Sequence, residues 1–421
     1  MRVKKWSFGL GVAAAVASVV ALAPNSAYAD YAPSSSDVVG VGSDTLQNGI
    51  DFIADGDFLA DPGYNAGKKN KFISIDATAD SNARLSYGSF GQGPQCGPGT
   101  GATAGTGNQN TTHADAPCSQ NPTVVLRAGR APILRPNGSG AGMTLLVNDT
   151  NTTTGKSIKN LVDFARRSSA NGTNTLFDSL QIGNDPLGML TSSTSHAAKA
   201  LSLAQVKAIY QCTVTDWSSV GGTAGTIKPL IPQAGSGTRN YFLQQLGNIT
   251  PGPCVTAVEE NDPEAIDASG DAINAVEPMS QSRLFLFQGK LSDGTDNGVG
   301  GYFHDPSCDG LSIKVACGGT GTASGASTPT LAPNVKLWTA ADPAPSDSAA
   351  VFFPTRPLYI YFRHADITST VKFQPGSTLN WIQTMLFNPG GATPYFCTGA
   401  GQALIAASGI DPACTYTASG P

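Results

Sequence analysis

Residues 201–249 read LSLAQVKAIYQCTVTDWSSVGGTAGTIKPLIPQAGSGTRNYFLQQLGNI, a strand pattern set between two helix patterns. Ser202 and Gln205 stand three apart, the spacing of a capping box in which hydroxyl and amide satisfy each other's backbone N–H groups. Leu203, Val206 and Tyr210 follow at helical spacing and mark an expected buried face. Ile227 to Pro232 has the apolar content of a strand. The turn Gly235-Ser236-Gly237-Thr238-Arg239 comes next, and then Phe242, Leu246 and Ile249 as a second helical stripe. The first N–H groups of a helix lack internal partners and lie at the positive end of its dipole. Glycine lets an anion approach such a backbone closely, and hydroxyls add donors without bulk. Ser236, Gly237, Thr238 and Arg239 are therefore candidates for holding an oxyanion. The plainer reading makes Ser236 a helix cap.

Working outward, Val38 to Val41 is a strand pattern running into Gly42-Ser43-Asp44-Thr45, after which Leu46, Ile50 and Ile53 recur helically. Ser43, Asp44 and Thr45 form a second candidate turn of the same kind. Phe72 to Ile75 and Val124 to Arg127 read as strands, with an exposed Gly/Asn/Thr-rich loop at 88–122 between them. A helix is expected from Ile158 to Arg166, loop over 289–346, strand from Val351 to Phe362, and a short helix from Leu379 to Phe387. Strands alternating with helices argue an α/β fold. A second Gly-Ser-Gly, at 138–140, is attributed to composition, since the chain holds 49 glycines.

Arg2, Lys4 and Lys5, an apolar run from Phe8 to Leu22 and Ala27-Tyr28-Ala29 make a secretory signal with cleavage before Asp30. The run is shorter than the roughly 20 residues a bilayer requires. The first cysteine is Cys96, far from the cleavage point, so no lipid anchor is expected. The remaining chain is long enough for two lobes. Its formal charge falls from −5 to −8 without the three signal cations, which argues against nucleic acid or an anionic membrane as partner. Eight cysteines, Cys96, Cys118, Cys212, Cys254, Cys308, Cys317, Cys397 and Cys414, fit disulfides in an exported protein better than a metal site. Sequence leaves their connectivity open, with sequential neighbours the expected pairs. No cofactor or metal is expected.

Enzyme motifs fail on inspection. Gly155-Lys156-Ser157 lacks the first glycine of a phosphate-binding loop, where Thr150 stands. Asn137 and Ala234 stand where a Gly-x-Ser-x-Gly elbow needs glycine. The acids of Glu259-Glu260-Asn261-Asp262 read as a solvated loop face. Arg127, Arg130 and Arg135 are candidates for anion contact; Trp217, Tyr210 and Phe242 read as packing.

The order of these segments resembles the phosphate-type solute-binding proteins. Leu201 to Tyr210, Val214-Thr-Asp-Trp217, Val220-Gly-Gly222 and the Ser236-Gly237-Thr238 turn match that family's central stretch. Val41 to Thr45 is similar to its first anion turn, and Val162 to Ser169 to its later lobe-one segment. The resemblance implies a two-lobed type II periplasmic-binding-protein fold, each lobe a doubly wound sheet with helices on both faces. Residues 1–29 would be signal, 30–187 plus 360–421 lobe I, and 188–359 lobe II. It implies Ser43, Thr45, Ser236, Gly237 and Thr238 as ligand residues, with Ser168 added. It also implies a carboxylate, Asp163 or Asp44, that accepts the proton of hydrogen phosphate. The family's arginine before the Ser-Gly-Thr turn is replaced here by Pro232-Gln233, and Arg239 is the expected substitute. The expectation is a secreted, monomeric binder of a small oxyanion, phosphate first, with a membrane permease as a further partner although no anchor holds it nearby. The alternatives are an extracellular interaction protein with a decayed pocket, and a secreted phosphoester hydrolase for which no nucleophile–base pair is visible.

Overall fold

The computed structural model describes residues 33–57, 61–77, 123–169, 175–263, 265–297, 335–367, 385 and 393–418. It is a two-lobed α/β protein built on a continuous ten-stranded sheet. In the first half, β1 (Val38–Gly42), β2 (Phe72–Ser74), β5 (Phe164–Arg167), β6 (Phe177–Ser192) and β11 (Thr355–Arg363) lie in the order β2-β1-β5-β11-β6. The pairs β1·β2 and β1·β5 are parallel, whereas β11 runs antiparallel to both its neighbours. The second half repeats the scheme. With β7 (Lys228–Pro232), β8 (Thr256–Val258), β9 (Ala275–Ser280) and β10 (Val335–Trp338), the order is β8-β7-β9-β6-β10. Strand β6 serves both halves: its residues 177–186 pair with β11, and Leu187 onward pairs with β9 and β10. The short hairpin β3 (Thr123–Val124) and β4 (Ile133–Leu134) stands apart, and β12 (Asp411–Thr417) lies against β6.

The alternation of β1 explains the layering. Successive side chains of a strand point to opposite faces. Val38 packs with Ile50 and Ile53 of α1 (Gln47–Asp55) and with Phe72 and Phe164, whose rings stack at 4.7 Å. Val39 and Val41 pack on the other face with Met143 and Leu146 of α2 (Gly138–Asn148). Strand β7 does the same in the second half. Its Ile231 meets Val206, Ile209 and Tyr210 of α3 (Leu203–Tyr210) and Phe242 of α4 (Gly237–Gln245). Its Leu230 faces Ile266 of α5 (Ala265–Ala268) and Leu284 of α6 (Gln281–Phe287). Helix α7 (Gly399–Ala407) covers the first face through Leu404 and Ile405.

Several expectations are met. The capping box of Ser202 and Gln205 is formed in full, and Trp217 is completely buried. Cys212–Cys254 and Cys397–Cys414 are bonded as sequential pairs; Cys96, Cys118, Cys308 and Cys317 lie outside the described residues. So do the signal segment, the 88–122 loop and, apart from Met385, the helix expected over 379–387.

Others are corrected. Leu203 is 47% exposed, and Ile209 takes its place on the buried face of α3. No helix forms over 158–166. Asp149 instead draws the N–H groups of Lys159, Leu161 and Val162 onto its carboxylate, and Asn160 adopts φ 52°. Those donors are then unavailable for a helical ladder, and the chain enters β5 directly. Part of the loop expected over 289–346 is strand β10. The 138–140 Gly-Ser-Gly opens helix α2.

Candidate functional site

The parallel strands of both halves end at one cleft, and three helix starts meet there. Gly42 closes β1 at φ 124°, a conformation glycine reaches without strain. The chain then turns through Ser43, Asp44 and Thr45 into α1, all three side chains buried. From the second half, Gly235 at φ 92° leads into Ser236, whose Oγ accepts from the Arg239 N–H at 3.0 Å and caps α4. Helix α2 begins beside it: the Gly140 N–H donates to the Gly235 carbonyl at 3.2 Å. Gly237 is pressed between the Ser139 and Ser168 hydroxyls, and a β-carbon there would collide with both. Those two hydroxyls lie 3.2 Å apart, and Ser139 Oγ also accepts from the Ser168 N–H.

Thr45 and Thr238 meet across the cleft, Oγ1 to Oγ1 at 3.4 Å. Both donate to Oε1 of Glu260, Thr238 at 2.6 Å and Thr45 at 3.2 Å, and the Thr238 N–H points there at 3.3 Å. Asn261 donates to Asp44 at 2.9 Å and to Thr45 at 3.2 Å. Arg356, from β11, places Nη2 3.1 Å from Thr45 Oγ1 while Asp185 of β6 holds its Nε and Nη2 at 3.0 and 2.7 Å. This ion pair is wholly buried. Arg356 Nη1 and Ser43 Oγ are buried without a hydrogen-bond partner among the described residues. Burial and the nearby Asp44 push the Glu260 carboxyl above its ordinary range, against the opposing pull of Thr238, Arg356 and Ser236.

Of the residues singled out in the sequence, Ser43, Asp44, Thr45, Ser168, Ser236, Gly237 and Thr238 come together here. Asp163 does not. It sits at the opposite, amino end of β5, accepting from the Val39 N–H at 2.9 Å and pairing with buried Arg127 at 2.6 Å. Arg239 turns away from the cluster and donates to the Pro232 carbonyl at 2.8 Å. Arg127 is spent on Asp163, Arg135 donates to the Asp76 carbonyl, and Arg130 approaches the Lys159 carbonyl at 3.5 Å on the surface. The acids 259–262 are not a solvated face: Glu259, Glu260, Asn261 and Asp262 are all buried. Ser139, Glu260 and Arg356 were not anticipated. The second Gly-Ser-Gly was a usable signal for Ser139, and a lone arginine inside a strand a weaker one for Arg356.

The family model described as a PBP superfamily domain matches residues 103–333. The chain belongs to the PBP superfamily. No curated protein matches it. Among solved structures it is similar to an ABC-type phosphate transport receptor from Vibrio cholerae, at 17% identity over 66% of this chain and 85% of that one, TM-score 0.39. It is also similar to PstS from Borrelia burgdorferi, at 10% identity over 89% and 98%, TM-score 0.38. A phosphate binding protein from Stenotrophomonas maltophilia follows at 10% over 78% of each chain, TM-score 0.34. Membership of the superfamily rests on the domain match. Among the described residues, no helix is long and apolar enough to cross a membrane.

Proposed function

We propose that this PBP-superfamily chain is an exported solute-binding protein that holds a small oxyanion, phosphate first, between its two lobes, and acts by binding rather than by a chemical step. The observation that carries this reading is the meeting of hydroxyl donors from two lobes. Ser43, Thr45, Ser139 and Ser168 arrive from one, Ser236 and Thr238 from the other, with the Arg356 guanidinium beside them. Open α/β sheets bind ligands at the carboxyl ends of their strands, where these residues lie. Neutral donors suit an anion on an acidic protein, because they solvate charge without demanding a basic surface. Lobe I would comprise 30–187 and 360–421, lobe II 188–359. Export with cleavage before Asp30, a monomeric state and delivery to a permease belong to the same reading.

The test is a melting experiment on the chain from Asp30, with phosphate, sulfate and molybdate. A ligand bound only by the folded state stabilises it by about 2.7 kcal/mol at a hundredfold excess over Kd. Ser236→Ala removes the α4 cap and costs the unliganded protein about 1 kcal/mol on any reading. The binding reading requires a further loss of about 1.5–3 kcal/mol in ligand affinity, and the same for Thr238→Ala. Variants that melt earlier yet keep the full phosphate shift would make these residues caps alone. The absence of any oxyanion shift in the unmutated protein would favour an extracellular interaction protein with a decayed pocket, a reading supported by the Glu260 carboxyl already seated on the donors.

A further inference from the structure

The donors of the cleft already hold an oxyanion, and it belongs to the chain. Oε1 of Glu260 receives the Thr238 N–H at the start of α4, the Thr238 hydroxyl and the Thr45 hydroxyl from the other lobe. The Ser236 hydroxyl, which caps the same helix, lies close enough to favour the charged form of that carboxyl. Glu260 is wholly buried, so these contacts are not the chance docking of a surface side chain. A carboxylate and a phosphate present the same kind of acceptor, oxygens that draw N–H and O–H donors along their lone pairs. Resting on the oxyanion-binding reading above, we propose that Glu260 is an internal stand-in for the ligand. It fills the acceptor position between the lobes, and an external oxyanion binds by displacing it.

Two consequences follow. Affinity for an external anion is set by a difference, ligand against Glu260, so the wild-type protein binds phosphate more weakly than its donor set allows. Selectivity is set by the same competition, because an anion must supply more acceptors than the single carboxylate oxygen it replaces. Arg356 favours that exchange: its Nη1 is buried without a partner among the described residues, and its charge is already balanced by Asp185.

The experiment is calorimetric titration of inorganic phosphate into the chain from Asp30, as wild type, Glu260→Ala and Glu260→Gln, with formate melting curves in parallel. Glu260→Ala should bind phosphate at least about tenfold more tightly than wild type, the scale of one hydrogen bond to a charged group that the ligand no longer has to break. Formate should raise the melting temperature of Glu260→Ala but not of wild type, by restoring the missing carboxylate. Glu260→Gln keeps the acceptor and loses the charge, so it guards against misfolding of the truncated variant and should also bind more tightly than wild type. If wild type binds phosphate and both variants bind it equally or less well, the stand-in is refuted while the oxyanion-binding function survives. If neither wild type nor variants bind any oxyanion, that function falls and the stand-in with it.

Discussion

One lobe orders its strands β2-β1-β5-β11-β6 and the other β8-β7-β9-β6-β10, so each places two parallel pairs beside an antiparallel crossover. Their buried charges are arranged differently. In the first lobe Asp163 and Arg127 pair at the amino end of β5, and Asp149 pairs with Arg363 beside the loop leading there. These two pairs lie away from the cleft, where the carboxyl ends of β1 and β5 present the hydroxyls of Ser43, Thr45 and Ser168 with a single acid, Asp44, among them. In the second lobe the acids follow β8 directly into the cleft, and Glu277 lies within β9. The same backbone scheme therefore makes one wall that is mostly hydroxyl donors, with Asp44 its one acid, and another that brings several acceptors of its own. Burying a carboxylate is costly unless hydrogen bonds compensate it, and the shared node of Thr45, Thr238 and Glu260 is where the two walls supply that compensation.

The largest expected effect separates the two kinds of buried acid. Asp185 holds Arg356 across the crossover strands and also accepts from the Ser280 hydroxyl and the Ser282 N–H at the start of α6. Asp185→Ala leaves a buried guanidinium uncompensated and should cost about 3–5 kcal/mol. It should also diminish the phosphate shift, because Arg356 loses its anchor beside Thr45. Asp163→Ala breaks a pair remote from the cleft and should lower stability while leaving that shift intact. Urea unfolding with and without phosphate reads both. An Asp163→Ala protein that lost its shift would put Asp163 back among the ligand residues.

A smaller effect belongs to the second lobe alone. Burial, and then the neighbouring Asp262, push the Glu277 carboxyl well above its ordinary range. Its Oε1 has no hydrogen-bond partner among the described residues. A raised folded-state pKa means the native state holds the proton more tightly than the unfolded chain. Stability is then greatest below the unfolded value near 4.5 and falls as pH rises toward the folded value. Glu277→Gln removes this dependence. The variant should gain in melting temperature over wild type as pH increases from 4 to 8, with the gap closing at the acid end. A constant gap across that range would show that the acid does not titrate as its surroundings demand.

Much of the fold was legible because local signals agreed with the global layering. Ser202 and Gln205 cap a helix that packs on a strand whose residues alternate between faces, and the two Gly/Ser/Thr turns sit at true helix starts. What escaped was long-range. Strand β6 carries Gly183, Pro186 and Gly188, residues that normally argue against a strand; its sixteen residues are held because both halves of the sheet pair with it. Asp149 dissolved a helix through hydrogen bonds from Lys159 to Val162 that no periodicity reveals. Glu260 is about twenty residues beyond the turn it fills, and Arg356 more than three hundred beyond Thr45, so neither could be paired with the site by spacing.

The smallest effect tests whether that legibility extends to single side chains. Leu203 and Val206 both lie on α3 and both fit its sequence stripe. In the fold Val206 is fully buried against Ile231 and Phe242, whereas Leu203 is 47% exposed at the first helical position. Leu203 is the first residue of α3 and stands outside the set the helix buries, which is Gln205, Val206, Ile209 and Tyr210. Val206→Ala should cost about 1–3 kcal/mol through lost burial and the space left behind. Leu203→Ala removes more carbon yet should change stability by no more than about 0.5 kcal/mol, since alanine is the better helix former and little apolar surface is lost from the core. Paired denaturant curves decide the matter. A Leu203→Ala cost equal to that of Val206→Ala would mean that this side chain is covered in the protein, and that the exposed edge of the second lobe is an interface.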